Sequence, residues 1–266
     1  MQKINLKMKL LSSMVHTEET SSNIANIYRE KTLVGNKIYN IPALHGNSFR
    51  GKLRDIGATY MLEKINTKKN SVKLPRYHML FSGGALEKQD CVLDMNKKKE
   101  MRELLPFLSI FGAAIGSEML RGKLIVSSLL PQCKELDTGE RSFNDMVQIV
   151  RYTRKDDAKD DVNGYLEEKT GVKTGVKTQM FYETEVLVKG TILEGEILLD
   201  SDNEIEIECL NSILKEFNKK PFIGGTSRAG HGKVEFLKIK TQELETEKYN
   251  QFLYNNQGRI KNWLEN

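Results

Sequence analysis

A polar and basic stretch, residues 44–54 (LHGNSFRGKLR), has the composition of an anion-binding helix start. The side chains that could contact an anion are Asn47, Ser48, Arg50, Lys52 and Arg54. A helix N-terminus is electropositive and disfavours each cation by about a few tenths of a kcal/mol. A bound phosphate would reverse that cost, because the side chains and the free backbone N–H groups of the first turn would converge on it. Gly51 then indicates close approach of another backbone, whereas a solvated helix face with an incidental glycine is the alternative.

A second stretch, residues 222–233 (FIGGTSRAGHGK), has four glycines within nine residues and indicates a loop between a helix and a strand. The loop residues that could contact an anion are Gly224, Gly225, Thr226, Ser227, Arg228 and His231. Glycine-rich loops line anions with backbone N–H groups or let another backbone pass close by. The stretch has neither the Gly-Lys-Ser/Thr of a Walker loop nor the strand-to-helix order of a dinucleotide fingerprint. A tight turn is the alternative interpretation.

The four histidines, His16, His45, His78 and His231, do not stand at metal-ligand spacing from one another or from a cysteine. We therefore assign no metal and no cofactor. Three cysteines, far apart in the sequence, fit neither a disulfide framework nor a zinc knuckle, and we expect them to fill the core. Because His45 and His231 lie within the two anion-binding stretches, they could contact RNA or supply acid–base chemistry in a metal-free ribonuclease.

Composition and charge narrow the class of protein. The chain has 266 residues, 39% of them hydrophobic and 29% charged, with a net charge of +5. No apolar run approaches the roughly 18 residues of a membrane helix, and no secretory signal is evident, so we expect a cytoplasmic protein without membrane partners. Residues 29–76 hold eleven cations and three acids, and residues 219–240 hold six cations and one acid. These segments predict one polyanion-binding surface if the fold brings them together.

Hydrophobic periodicity predicts the elements that must position these stretches. In order, they are a strand over residues 4–10, a helix over 48–64 capped by Asn47 or Ser48, a helix over 99–114 bent or ended by Pro106, a strand over 120–130, strands over 181–188 and 191–199, a helix over 205–217, a strand over 234–239 and a terminal helix over 245–264. Without its insertions this is a β-α-β-β-α-β plan, which predicts an α+β, ferredoxin-like fold.

Three segments do not fit that plan. Residues 16–47 indicate a long loop or small hairpin, and residues 66–99, rich in lysine, glycine and asparagine, indicate an excursion from the main fold. Residues 151–180 are densely charged and contain a tandem Gly-Val-Lys-Thr. Because so long a charged segment inside a compact domain is uncommon, we predict a protruding hairpin or flexible loop there.

The two anion-binding stretches, in this order around a β-α-β-β-α-β plan, resemble the RAMP superfamily of CRISPR-associated proteins. The resemblance rests on residues 41–54 (IPALHGNSFRGKLR), the glycine loop 224–232, residues 104–126, residues 151–157 (RYTRKDD) and residues 180–191. Within the superfamily the chain most resembles the backbone, Cas-seven-like, subunits of type IV complexes, with type III as the neighbouring possibility.

The resemblance implies a single RAMP-type domain over residues 1–266 with a ferredoxin-like (RRM-like) palm, inserted lobes and a thumb hairpin. The implied parts are a palm from residues 1–15, 46–65 and 181–240, a lobe over about 66–130, a thumb over about 151–180 and a C-terminal helix over 245–265. It further implies a homo-oligomer stacked along one CRISPR RNA, which pairs with target DNA or RNA. Other effector subunits are implied partners: a RAMP-type capping subunit, a large subunit and, as a further candidate, a helicase.

RNA recognition would use backbone shape and charge, because a guide of varied sequence cannot be recognised base by base. The implied RNA-binding residues are His16, His45, Asn47, Ser48, Arg50, Lys52, Arg54, Arg151, Arg154, Lys155, Gly224, Gly225, Thr226, Ser227, Arg228 and His231.

The resemblance leaves the question of catalysis open. Type III backbone subunits cut target RNA with an aspartate in the loop after the first strand, where this chain has Glu18 and Glu19 and no aspartate before Asp55. We therefore expect a binding subunit without catalysis. A metal-independent endoribonuclease that uses His16, His45 or His231 is a second interpretation of the sequence, and a structural protein that binds no RNA is a third.

Overall fold

The computed structural model describes residues 1–18, 24–84, 95–115, 118–153 and 181–265. The strands are β1 (Gln2–Leu10), β2 (Ile24–Ala25), β3 (Arg29–Val34), β4 (Lys37–Pro42), β5 (Ala113–Ile115), β6 (Glu118–Leu120), β7 (Leu124–Val126), β8 (Leu130–Pro131), β9 (Val147–Thr153), β10 (Phe181–Leu187), β11 (Ile192–Leu199) and β12 (Val234–Phe236). The α-helices are α1 (Gly46–Lys64), α2 (Leu74–Phe81), α3 (Met95–Leu104), α4 (Pro106–Phe111), α5 (Glu204–Lys219), α6 (Glu247–Asn255) and α7 (Gln257–Glu265).

The central sheet has the strand order β12-β1-β11-β7, with every neighbouring pair antiparallel. Along the chain these strands and the helices α1 and α5 follow the order β1-α1-β7-β11-α5-β12. This is the split β-α-β arrangement of the ferredoxin-like fold, so the predicted α+β class is confirmed. The second palm strand is interrupted, because β8 also pairs with β11 after a break at residues 127–129.

One face of the sheet carries the core. Leu6, Met8 and Leu10 of β1 are buried, as the alternating pattern predicts. The α1–α5 contact is close, because a Cβ added at Gly57 would lie 2.7 Å from Ile213 Cδ1. Edge-to-face contact between Phe49 and Phe217, with ring centroids 5.5 Å apart, joins the same two helices.

The other face of β1 and β11 carries ion pairs. Lys7 Nζ lies 3.1 Å from Glu194 Oε1, and Lys3 pairs with Glu196. Neither strand contains an aromatic residue. Bases therefore cannot stack on this part of the sheet in the way that RRM domains use theirs.

Insertions extend this palm. Between α1 and β7 the chain adds α2, α3, α4 and the β5–β6 hairpin, and between β1 and α1 it adds the β3–β4 hairpin. The predicted thumb falls mostly outside the described residues, but β9 and β10 on either side of it pair antiparallel, with Thr153 opposite Phe181. Among the described residues, no helix is long and apolar enough to cross a membrane.

Several predicted boundaries are corrected. The predicted 99–114 helix is interrupted at Pro106, as expected, but its bounds change: α3 is Met95–Leu104 and α4 is Pro106–Phe111, since a proline fits the first turn of a helix and not its interior. The terminal helix is two helices, α6 and α7, divided at Asn256. Gly51 is not a site of close approach, because nothing lies within 4 Å of the position of its missing Cβ.

Cys133 and Cys209 are buried, in agreement with the core-filling role expected for them, and Cys91 lies outside the described residues. Burial raises the pKa of Cys209 to about 12, so this thiol stays protonated at neutral pH.

Candidate nucleic-acid interface

Residues Ser13–Thr17, here called the joining segment, connect the glycine loop to the rest of the fold. Met14 forms a bridge with Leu187 of β10, and the next residue, Val15, forms one with Gly225. The Gly225 N–H donates to the Val15 carbonyl at 2.7 Å, and the Gly232 N–H donates to the Ser13 carbonyl at 2.8 Å. The joining segment therefore runs as an irregular strand between β10 and the glycine loop.

Two glycines allow this contact. Gly224 has φ +73°, and a Cβ there would lie 2.3 Å from the Val15 carbonyl oxygen. Gly232 has φ +79°, and a Cβ there would lie 1.9 Å from the Ile223 carbonyl oxygen. Both positions need glycine for its backbone conformation and for the missing side chain. Residues 224–230 are exposed, so the loop presents its outer edge to solvent.

His231 ties the far end of the loop to the joining segment. Its Nδ1 lies 3.1 Å from the Ser13 hydroxyl oxygen and 3.1 Å from the Ser13 carbonyl oxygen. The Lys233 N–H donates to the Ser12 hydroxyl at 2.9 Å. Side chains thus add to the backbone contacts that hold the loop in place.

The joining segment also reaches the start of α1 through His16. The backbone N–H of His45 donates to His16 Nε2 at 3.2 Å. The Tyr28 ring packs edge-on against both imidazoles, with centroids 5.5 Å from His16 and 5.4 Å from His45. Burial, and then the nearby His45, lower the pKa of His16, which favours its neutral form.

His45 caps α1, in place of the predicted Asn47 or Ser48. Its backbone is extended (φ −60°, ψ 134°), and its Nδ1 accepts a hydrogen bond from the Asn47 N–H at 3.1 Å. Asn47 and Ser48 are exposed in the first turn. A Cβ at Gly46 would lie 2.3 Å from the Val126 carbonyl oxygen, so the helix start sits directly on β7.

The predicted role of Arg54 in RNA contact is corrected by its burial. Only 6% of the residue is exposed. Its guanidinium donates to the carbonyls of Leu80 (2.7 Å), Met79 (2.6 Å) and Gly112 (2.6 Å), all at the C-terminal ends of α2 and α4. Burial, and then the charge of Arg50, lower the pKa of Arg54 to about 10, which leaves it charged at neutral pH.

Arg50 faces the same way. Its guanidinium donates to the carbonyls of Leu124, at 3.3 Å, and Phe111. The cations at the start of α1 are therefore explained by the negative C-terminal ends of two other helices, and an external anion is not needed to explain them. Lys52 lies elsewhere, in a groove between α1 and the end of α5.

Of the three RNA-binding residues predicted at the thumb, one lies in the described part of the chain. Arg151 is exposed and pairs with Glu183 across β9 and β10, with its Nε 2.8 Å from the carboxylate; Arg154 and Lys155 lie outside the described residues. The two basic segments meet in part, because Lys52 from the first and Lys219 and Lys220 from the second line one groove, but residues 64–76 do not line it. Residues 64–76 lie at the far end of α1, about 28 Å from its start for a 19-residue helix.

What the fold does gather is called here the loop–helix surface. It consists of His16, His45, Asn47, Ser48, Gly224, Gly225, Thr226, Ser227, Arg228 and His231. Backbone N–H groups, hydroxyls, imidazoles and one arginine are suited to phosphate oxygens, which accept hydrogen bonds from all of them. In the described part of the chain, no group of three histidine, cysteine or acidic residues could hold a metal ion.

Sequence reasoning missed Tyr28 and the residue that holds it. Glu185 on β10 accepts from the Ile27 N–H at 3.0 Å and from Arg29 Nη1 at 2.7 Å. The hydrogen bond from Arg29 lowers the pKa of Glu185, since it favours the ionised carboxylate. No local pattern marks a contact between residues 158 positions apart, so the sequence held no signal for it.

The palm topology and the loop–helix surface define a class: ferredoxin-like α+β proteins with inserted elements and a glycine loop before the last palm strand. The chain belongs to the RAMP superfamily, whose sequence profile matches residues 7–235. Among solved structures, one titled "Type IV-B CRISPR Complex" is similar, with a TM-score of 0.63, 22% sequence identity, and coverage of 90% of this chain and 92% of that chain. A search of curated proteins found no match.

Proposed function

We propose that the protein is a CRISPR RNA-binding backbone subunit of a type IV-like effector complex. Copies would stack along the guide and present it for pairing with target DNA or RNA, without catalysis by this chain. One observation carries the proposal: the joining segment fixes the glycine loop beside the start of α1 in a member of the RAMP superfamily. Similarity in fold to a chain of a type IV-B CRISPR complex supports the choice of complex.

The chemistry of the loop–helix surface favours recognition of the RNA backbone. His16 Nε2 and His45 Nδ1 each accept a backbone N–H, so in the neutral imidazoles the remaining nitrogen of each ring carries the hydrogen. That N–H can donate to a phosphate or a ribose hydroxyl whatever the base. Together with Arg228 and the loop N–H groups, such donors suit a guide of varied sequence.

The proximity of His16 and His45 is the observation that favours the second candidate, a metal-independent endoribonuclease. A general base needs a free ring nitrogen, however, and one nitrogen of each ring is engaged by a backbone N–H. The two candidates are separated by incubating the protein with a repeat-containing transcript in EDTA. Specific cutting that is lost on replacing His16 or His45 would favour the enzyme.

RNA binding is tested on the purified full chain. We expect RNA to co-purify with the protein. The RNA would add to the mass of the particle and would raise its ultraviolet absorbance at the nucleic-acid maximum relative to that at the protein maximum. Arg228→Gln should lower the salt slope of RNA affinity by about 0.7, the value for one phosphate contact to a single strand. Lys134→Gln, at an exposed position outside the loop–helix surface, is the matched control and should leave the slope unchanged. A protein that stays monomeric and does not bind RNA at low salt would overturn the proposal.

A further inference from the structure

We propose that a second surface of this chain, at the opposite end of α1 from the loop–helix surface, binds a single-stranded nucleic acid through stacking on Trp263 and phosphate contacts from surrounding cations. This α2–α7 surface is defined by Lys69, Lys73, Arg76, Arg259, Lys261 and Trp263. The α2–α7 surface is separate from the loop–helix surface proposed to bind the guide, because the two surfaces share no residue.

The charge of the α2–α7 surface comes from two segments that contact each other. Residues 64–76 contain four cations besides Lys64 and residues 257–264 contain two, and neither segment contains an acid. The Lys73 N–H donates to the Leu264 carbonyl at 3.0 Å, and Gln257 Nε2 donates to the Ile65 carbonyl at 2.8 Å. These cations thus meet where α1 ends and the last helix lies. In the sequence the two segments are flanked by Glu63 and Glu265, and in the fold Asp55 of α1 lies near Lys69.

A cavity of about 450 Å³ opens within this charged region. It is lined by Arg76, Leu104, Arg259, Asn262 and Trp263. The Arg76 guanidinium lies over the Trp263 ring, 4.3 Å from its centroid, and the indole is half-buried. The cavity is in the size range of small-ligand sites, so it can admit a nucleobase beside the indole and the guanidinium.

The combination of groups favours single-stranded nucleic acid over an acidic protein segment. Aromatic rings and guanidinium planes stack unpaired bases, while neighbouring cations contact phosphates, which is how proteins hold single strands without sequence preference. The side chain of Asn262 adds an amide to the lining of the same cavity. A carboxylate-rich peptide would use the cations but would have no use for the indole, the amide or the apolar Leu104 wall.

Position strengthens the assignment. α1 is 19 residues long, so its two ends are about 28 Å apart. A strand on the α2–α7 surface would therefore lie apart from the guide held at the other end of the helix. Such a strand would be the part of a target, or of the guide itself, that the loop–helix surface does not hold.

The experiment uses a property of the sequence: Trp263 is the only tryptophan in the chain. Its fluorescence therefore reports on this surface alone. The full chain is titrated with labelled oligo(dT) of about 20 nucleotides and, separately, oligo(U), with label anisotropy measuring total binding and tryptophan emission measuring the site. We expect both oligonucleotides to bind and to quench Trp263, and the tighter of the two identifies the preferred strand.

Variants make the test specific. Arg259→Gln with Lys261→Gln should reduce the salt slope of the quenching transition by about 1.4, for two phosphate contacts to a single strand. Lys134→Gln should leave it unchanged. Arg228→Gln should lower the salt slope of guide RNA affinity while the oligonucleotides still quench Trp263. Failure of RNA binding at the loop–helix surface and failure of this proposal are therefore distinguishable. Binding without quenching, an unchanged slope in the double variant, or equal quenching by polyglutamate would each overturn the proposal.

Discussion

Replacing Arg54 tests whether the basic start of α1 serves the fold or the RNA. Arg54→Met keeps most of the aliphatic stem but removes a buried guanidinium that donates to the carbonyls of Met79, Leu80 and Gly112. Hydrogen bonds to a charged group are worth about 1.5–3 kcal/mol each, and removing one member of a buried charged network costs about 3–5 kcal/mol. We expect a loss of that size in the free energy of unfolding, since the three carbonyls lose their donor together.

The assay is thermal unfolding, with RNA affinity measured on the folded protein. At roughly 2–4 °C per kcal/mol for a chain of this size, the melting temperature should fall by about 6–20 °C. Lys52→Met, on the same helix but half-exposed, should stay within about 0.5 kcal/mol of the natural chain. Arg54→Lys should be intermediate, because an ammonium lacks the planar fork. Natural stability together with weakened RNA binding in Arg54→Met would refute the reasoning and restore Arg54 as an RNA-binding residue.

Three further predictions concern the pH dependence and the glycines. Burial lowers the pKa of His16 below 6.5. The stability that the neutral His16 contributes is therefore complete above pH 6.5 and is lost as the pH falls through the folded-state pKa. In thermal melts from about pH 7.5 to about pH 5, His16→Gln should show a smaller fall in melting temperature with acid than the natural chain. Gly224→Ala should weaken RNA affinity and lower the melting temperature, because its Cβ would meet the Val15 carbonyl. Gly230→Ala, also at positive φ but in open space, should cost only about 1 kcal/mol and leave RNA affinity intact. Equal effects of the two substitutions would contradict the close approach at Gly224. Gly51→Ala should stabilise α1 by up to about 1 kcal/mol without changing RNA affinity, and a loss of either would contradict the open space found there.

The palm was predictable because its signals are local. Alternation in β1 and the three-and-four spacing in α1 and α5 each follow from one face being buried, and the β-α-β-β-α-β order then leaves few topologies. The strand order β12-β1-β11-β7 agrees with that reasoning. The glycine loop was also predictable as a loop, since its spacing of glycines is incompatible with regular structure.

The partners of the charged side chains were not predictable in the same way. Arg50 and Arg54 donate to backbone carbonyls 25 to 74 residues away, and a carbonyl is present at every position, so no residue type marks the acceptor. The charge count of residues 29–76 therefore combined buried cations with exposed ones. His45 was missed as a cap because histidine is not among the common capping residues.

The acceptors used by Arg54 have a consequence for how this protein can diverge. Since Arg54 reaches the inserted lobe through main-chain oxygens at the ends of α2 and α4, these hydrogen bonds would survive a change of side chain at the acceptor residues, provided that both helices still end at the same place. Changes in helix length, by contrast, would move the oxygens out of reach of the guanidinium. Because buried side chains of the lobe such as Phe107 also pack on α1, we expect substitutions to accumulate at the exposed positions of the lobe more freely than insertions or deletions in α2 and α4.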